Sequence, residues 1–133
     1  MRSLPLISVV DDDDAVRESL QALIRSAGFA VKGFASAEEF LHSEQLHQTG
    51  CLILDIRLPG MNGVELKRHL ASNHNEIPII FITAHGDKAT RARALSDGAL
   101  EYLFKPFSGE ALLNAIQAAV VMNNIERNAQ AAE

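Results

Sequence analysis

The amino-acid sequence predicts an α/β fold: a doubly wound parallel sheet of five strands in the order 2-1-3-4-5, with helices on both faces. Three observations lead there. Short runs of strand-forming residues alternate five times with helical patterns, which calls for parallel strands joined by helical crossovers. The first, third and fourth runs are continuously apolar, as strands buried on both faces must be, whereas the second and fifth are interleaved with Lys32 and Glu101 and suit the edges. Right-handed crossovers then favour this order, in which the winding reverses between strands one and three and opens a crevice at the carboxyl ends of the strands.

The first strand is Leu6 to Val10, halted by Asp11, Asp12, Asp13 and Asp14. A helix follows from about Ala15 to Ala27, with Val16, Leu20, Leu23, Ile24 and Ala27 on one face. Asp13 or Asp14 caps it where negative charge is favoured, and Gly28 closes it. Ala30 to Phe34 is the second strand. Ser36 and Glu39 have the spacing of a capping box and start a helix that runs through Phe40 and Leu41 to about Gln45. The third strand is Cys51 to Asp55. After Pro59-Gly60 and Asn62-Gly63, a helix from about Gly63 to Ser72 buries Val64, Leu66 or the stem of Lys67, and Leu70. Pro78 to Thr83 is the fourth strand. Asp87 caps a fourth helix that ends before Gly98 and has a thin apolar face of Ala89, Ala92, Ala94 and Leu95. Leu100 to Phe104 is the fifth strand. Beyond Lys105-Pro106, Ser108 caps a last helix built on Leu112, Leu113, Ile116, Ala119 and Val120.

The totals bound the function. A chain of 133 residues fits one domain with a real core. A net charge of −5 argues against a general nucleic-acid binder. The single cysteine, Cys51, opens an apolar run and reads as a core residue; it permits no internal disulfide and no cysteine-based metal site, and it suits a reducing cytoplasm. No segment has the roughly 20 apolar residues needed to span a bilayer, and the stretch after Met1-Arg2-Ser3 is too short for a signal peptide. His42, His47, His69, His74 and His85 share no metal-ligand spacing and are expected at the surface, with His85 near the crevice.

The crevice is where the chemistry gathers. The carboxyl ends of the strands deliver Asp11 and Asp12, Asp55, Thr83 and Lys105 to one edge of one sheet. Adjacent strands lie about 4.8 Å apart, so Asp55 sits between the Asp11-Asp12 pair and Thr83, and the long side chain of Lys105 bends back from two strands away. Three carboxylates this close call for a cation or a raised pKa. An all-oxygen ligand set points to a hard divalent ion, and Mg²⁺ fits best because it keeps sites for water and phosphate oxygens. A metal, an ammonium and a hydroxyl around one carboxylate suit phosphoryl transfer with Asp55 as nucleophile.

These residues carry a resemblance. Val10-Asp11-Asp12, Leu54-Asp55 with Leu58-Pro59-Gly60-Met61-Asn62-Gly63, Ile82-Thr83-Ala84 and Lys105-Pro106-Phe107 together resemble a response-regulator receiver domain of bacterial two-component signalling, over about Leu6 to Val121. Val16 to Leu20, Phe34 to Glu38 and Thr83 to Asp87 resemble the FixJ/NarL-type branch, whose members often carry a C-terminal helix-turn-helix output domain. The resemblance implies a flavodoxin-like (βα)5 fold with Asp55 as phosphoacceptor. Asp11, Asp12, one Asp55 oxygen and the backbone carbonyl of Arg57 would hold Mg²⁺, with Mn²⁺ as a substitute. Thr83 would be the switch hydroxyl, Lys105 the phosphoryl-contacting lysine, Tyr102 the switch aromatic and Lys105-Pro106 a cis peptide. A phosphoryl group would draw Thr83 towards it and leave space for Tyr102 to turn inward. Arg57 stands where many members have a smaller or neutral residue, and so bears on phosphoryl lifetime.

The resemblance also implies a cytoplasmic location for this chain, a partner histidine kinase, a signalling face built from helix four, strand five and helix five that meets an output domain or a second copy, and no membrane or direct nucleic-acid contact by this chain. It implies no enzyme acting on an outside substrate. Residues 1–122 would be the receiver, and 123–133 a helical extension or the start of a linker to an output domain. A stand-alone receiver acting by protein contact is the alternative. A haloacid-dehalogenase-type phosphatase would need an Asp-x-Asp pair that Asp55-Ile56-Arg57 lacks, and a nucleotide or flavin module would need a glycine-rich loop where four aspartates stand.

Overall fold

In a computed structural model, the chain is described from residue 5 to residue 131, residue 85 excepted, with side chains as far as Met122. Met1, Arg2 and Ser3, His85 and residues 132–133 lie outside the described residues. Five strands, β1 (Leu6–Val10), β2 (Ala30–Phe34), β3 (Thr49–Asp55), β4 (Ile79–Thr83) and β5 (Glu101–Phe104), form one sheet in the order β2-β1-β3-β4-β5. All four pairings are parallel. The helices are α1 (Asp14–Ser26), α2 (Ala37–Leu41), α3 (Gly63–Ser72), α4 (Lys88–Ser96) and α5 (Gly109–Ala131), with a 3₁₀ turn over Glu44–Gln48. Among the described residues no helix is long and apolar enough to cross a membrane.

Period-two alternation along the interior strands feeds two cores. In β3, Cys51 and Ile53 face α1 and α5 with Ile7, Ile24, Leu112 and Ile116, while Leu52 and Leu54 face α2, α3 and α4 with Phe40, Leu66, Leu70 and Phe81. Every residue of β3 and β4 is buried, whereas the edge strands β2 and β5 alternate with exposed positions. Each fully buried Leu, Ile or Phe contributes about 1.5–3 kcal/mol. The sheet centre is therefore the rigid part of the molecule.

Four sequence expectations are corrected here. The second helix stops at Leu41, not near Gln45. The ring Nδ1 of His42 lies 2.8 Å from the Glu38 carbonyl and the Ser43 hydroxyl donates to that of Phe40 at 2.7 Å, so side chains satisfy the last carbonyls and close the helix. Ser36 caps α2 as expected, but Glu39 reaches the backbone N–H of Ala35 rather than that of Ser36. Val64 is exposed; in α3 Leu66 and Leu70 carry the core contact. In α4, Ala89 and Ala92 are exposed and Ala94 alone is fully buried, with Leu95 half-buried. Smaller differences are at strand starts: β3 begins at Thr49, whose Oγ1 meets buried Ser8 Oγ at 2.7 Å.

Candidate functional site

Register fixes what stands at the carboxyl edge. Val10 is level with Leu54, Asp55 with Ile82, and Thr83 with Phe104. The next residue along β1 is Asp11, beside Asp55, and the next along β5 is Lys105, beside Thr83. Asp11 is wholly buried and Asp55 and Thr83 nearly so, while Asp12 is exposed. They line a recess of about 220 Å³ with Asp13, Arg57, Ala84 and Lys105.

Lys105 closes the arrangement. Its Nζ donates to Asp11 Oδ2 at 3.0 Å and lies 3.6 Å from Asp55 Oδ2, so the lysine spans from an edge strand to two interior carboxylates. The other oxygens are held by backbone: Asp13 N–H donates to Asp11 Oδ1 at 2.9 Å, and Arg57 N–H to Asp55 Oδ1 at 3.1 Å. The guanidinium of Arg17 donates to the Asp11 carbonyl at 2.8 Å and pairs with Asp14, which ties α1 to the end of β1. The Lys105–Pro106 peptide is cis.

The electrostatics follow from burial. Desolvation and then the Asp11 carboxylate hold the Asp55 carboxyl above its ordinary value, against the pull of Lys105 and the Arg57 N–H. Burial works against the ammonium of Lys105, but the hydrogen bond to Asp11 and the charges of Asp55 and Asp11 together outweigh it and raise its pKa. Asp11, Asp12 and Asp55 can each offer an oxygen, all within 4.8 Å of one another. A carboxylate has about four lone-pair sites, so the bonds already made by Asp11 and Asp55 leave acceptor capacity. An all-oxygen trio facing a small polar recess fits a hard divalent cation.

Tyr102 differs from expectation. It does not wait to turn inward: it is 1% exposed, with its ring edge-on to Phe104 (centroids 5.3 Å) and tilted on Phe81 (6.3 Å). Its hydroxyl is buried without a hydrogen-bond partner among the described residues. His42, His47, His69 and His74 are exposed, as expected.

A model of the response regulator receiver domain matches residues 7–117. The chain belongs to this family. Nodulation protein W of Bradyrhizobium diazoefficiens is 45% identical over 125 residues, which are 94% of this chain and 55% of that protein. The transcriptional regulatory protein FixJ of Azorhizobium caulinodans is 41% identical over 118 residues, 89% of this chain and 56% of that one. The solved structure of response regulator StyR matches with a TM-score of 0.88 at 48% identity, over 98% of this chain and 66% of that one. The receiver is thus of the FixJ/NarL type with a flavodoxin-like fold, and it spans about half the length of the curated relatives it matches.

Sequence reading brought Asp11, Asp12, Asp55, Thr83 and Lys105 to one place, and the receiver places them together. It missed Glu38. This residue of α2 reaches across to the loop after Asp55, where its Oε2 accepts the Met61 N–H at 3.0 Å, a bond that holds its carboxyl below the usual range. Gly60, at φ 73°, lies so close that a Cβ would stand 2.5 Å from that oxygen. It also missed the capping box of α3, in which Asn62 accepts from Glu65 N–H and Glu65 from Asn62 N–H. The Asn62-to-Glu65 spacing was there to be read.

Proposed function

We propose that Asp55 is the phosphoacceptor of this receiver and takes a phosphoryl group from a histidine kinase. The position of Lys105 carries the reading: an ammonium 3.6 Å from Asp55 Oδ2, inside a recess open to solvent, lies where charge on a transferred phosphoryl group would develop. An Asp55 oxygen attacks phosphorus, the bond to the donor imidazole nitrogen breaks, and the imidazole leaves neutral, keeping the proton on its other ring nitrogen; water later attacks phosphorus, the P–O bond to Asp55 breaks, and inorganic phosphate leaves with the water's protons, restoring the carboxylate. Lys105 neutralises the phosphoryl oxygens, Thr83 hydrogen-bonds the acyl phosphate, and the backbone at Arg57 holds Asp55 in place. Asp11, Asp12, Asp55 and the backbone carbonyl of Arg57 would hold the divalent ion, Mg²⁺ or in its place Mn²⁺, which when bound supplies further positive charge against those oxygens.

The domain on this reading is a cytoplasmic switch that acts on no outside substrate. Residues 1–122 are the receiver, and 123–133 are a C-terminal extension or the start of a linker towards a DNA-binding output domain. The output face is α4, β5 and α5, where a groove is lined by Lys88, Arg91, Tyr102, Phe104 and Phe107 and where Arg91 lies 3.5 Å from Glu101. That ion pair is half-exposed and worth under about 1 kcal/mol, so a partner can replace it.

The experiment is incubation with acetyl phosphate or a phosphorylated kinase and MgCl₂, followed by intact mass. One phosphoryl group is expected on wild type and none on Asp55→Asn, with the fold kept by circular dichroism. Stoichiometric labelling of Asp55→Asn, or turnover of many donor molecules with no acyl phosphate at Asp55, sinks the assignment.

A further inference from the structure

We infer that Gly86, three residues after Thr83, is the positioning residue that admits Tyr102 to its inward place, the missing side chain at residue 86 being the room in which the phenol tip lies. The inference deepens the switch roles that the family resemblance implies for Thr83 and Tyr102, and for its signalling consequence it rests on the proposed phosphoacceptor reading.

Space is what singles out this glycine. A Cβ built on Gly86 would stand 2.4 Å from the Tyr102 hydroxyl oxygen, 2.6 Å from Thr83 Cγ2 and 2.8 Å from Phe104 Cε1. All three distances are far inside ordinary contact, and all three atoms belong to side chains of β4 and β5.

Of the three groups, Tyr102 overlaps most deeply and has an opening to move into, while Phe104, already half-exposed, overlaps least. Thr83 ends a strand buried along its whole length. Tyr102 is on the edge strand, and the groove between α4 and β5 that it lines opens to solvent. Its buried hydroxyl has no hydrogen-bond partner among the described residues, so leaving this place costs it no bond and regains hydration. A methyl group at residue 86 therefore turns Tyr102 outward, and glycine lets it in. Residue 86 also lies only three residues beyond the β4 end that carries Thr83, so the hydroxyl, the gap and the ring are close together.

The chain has one tyrosine and no tryptophan, so its intrinsic fluorescence reports Tyr102 alone. The test compares acrylamide quenching of wild type and Gly86→Ala, each shown folded by circular dichroism. A severalfold larger quenching constant is expected in the variant, and a constant equal to that of wild type overturns the inference. Should Gly86→Ala fail to fold, Gly86→Ala/Tyr102→Phe removes the atom of deepest overlap; recovery of the fold in the double variant is expected, and no recovery overturns the inference. Labelling by acetyl phosphate is read on the same samples. Gly86→Ala is expected to take one phosphoryl group as wild type does and to keep its larger quenching constant when phosphorylated. Absence of labelling in wild type would sink the phosphoacceptor reading while leaving the quenching comparison standing.

Discussion

Replacing Lys105 by methionine keeps the length of the side chain and removes its charge. The ammonium lies 3.0 Å from Asp11 Oδ2 and 3.6 Å from Asp55 Oδ2. At an effective dielectric of about 20 each attraction is worth about 5 kcal/mol before desolvation is subtracted. Desolvation of Lys105 is incomplete, since its side chain is 21% exposed, but that of Asp11 is total. Removing one partner of a buried pair costs about 3–5 kcal/mol, because the other charge is left uncompensated, and the partial exposure of Lys105 puts the loss near ~3 kcal/mol. The sign with pH agrees. The pKa of Lys105 is raised, so its contribution is fully present below its unfolded value of about 10.4 and is lost only as pH rises above it. Urea and thermal melts at pH 7.5 in EDTA should show Lys105→Met less stable by ~3 kcal/mol, a fall in Tm of about 12 °C at about 4 °C per kcal/mol. The variant should also gain more from MgCl₂ than wild type does, since two carboxylates then face a cation without a competing ammonium. Equal stability in EDTA, or a smaller Mg²⁺ response in the variant, would refute the reasoning.

Three further outcomes are expected. Asp11→Ala/Asp12→Ala should abolish the Mg²⁺-dependent rise in Tm; an unchanged rise would place the metal elsewhere. Arg57, exposed on the rim of the recess, should shield the acyl phosphate from water, so Arg57→Ala should dephosphorylate faster, and a slower rate means that the arginine instead orients the water. Cys51 is fully buried and burial pushes its thiol from 9.0 up to about 12. Iodoacetamide at pH 8 should therefore label the native domain at least about a thousandfold more slowly than in urea, because modification waits for an opening of ~4 kcal/mol or more. Above pH 9.0 the unfolded thiol ionises while the buried one does not, so stability falls as pH rises from 9.0 towards 12.

The site was legible because a parallel sheet turns the end of each apolar run into a position. Val10, Leu54, Ile82 and Phe104 close four such runs, so the next polar residues had to meet at one edge, whatever the helices did. What was not legible depended on single side chains. The end of α2 is decided by His42 and Ser43 bonding back to carbonyls, which no periodicity encodes. Glu38 meets Met61 across 23 residues, a contact that neither neighbourhood announces. Counting alanines overestimated the buried face of α4, because small residues satisfy a helical pattern equally well when they point to water. The inward Tyr102 needed Gly86, and a glycine one residue before a helix cap reads from sequence as a loop residue.

Those last two findings bear on how a change at Asp55 would leave the site. β1, β3 and β4 are packed on both faces, and displacing them would expose Ile, Leu and Phe side chains at about 1.5–3 kcal/mol each. In contrast Ala94 is the only buried residue of α4, and β5 is an edge on which Phe104 is partly exposed. Local rearrangement draws on regions with few buried apolar contacts. A differential free energy of a few kcal/mol, about what shifts a minor state to dominance, suffices to move α4 and is small against what the interior strands would require. On the proposed reading, the route from the carboxylates outward would therefore follow the thin packing: through Thr83 at the end of β4, past Gly86 and Tyr102, to the face shared by α4 and β5.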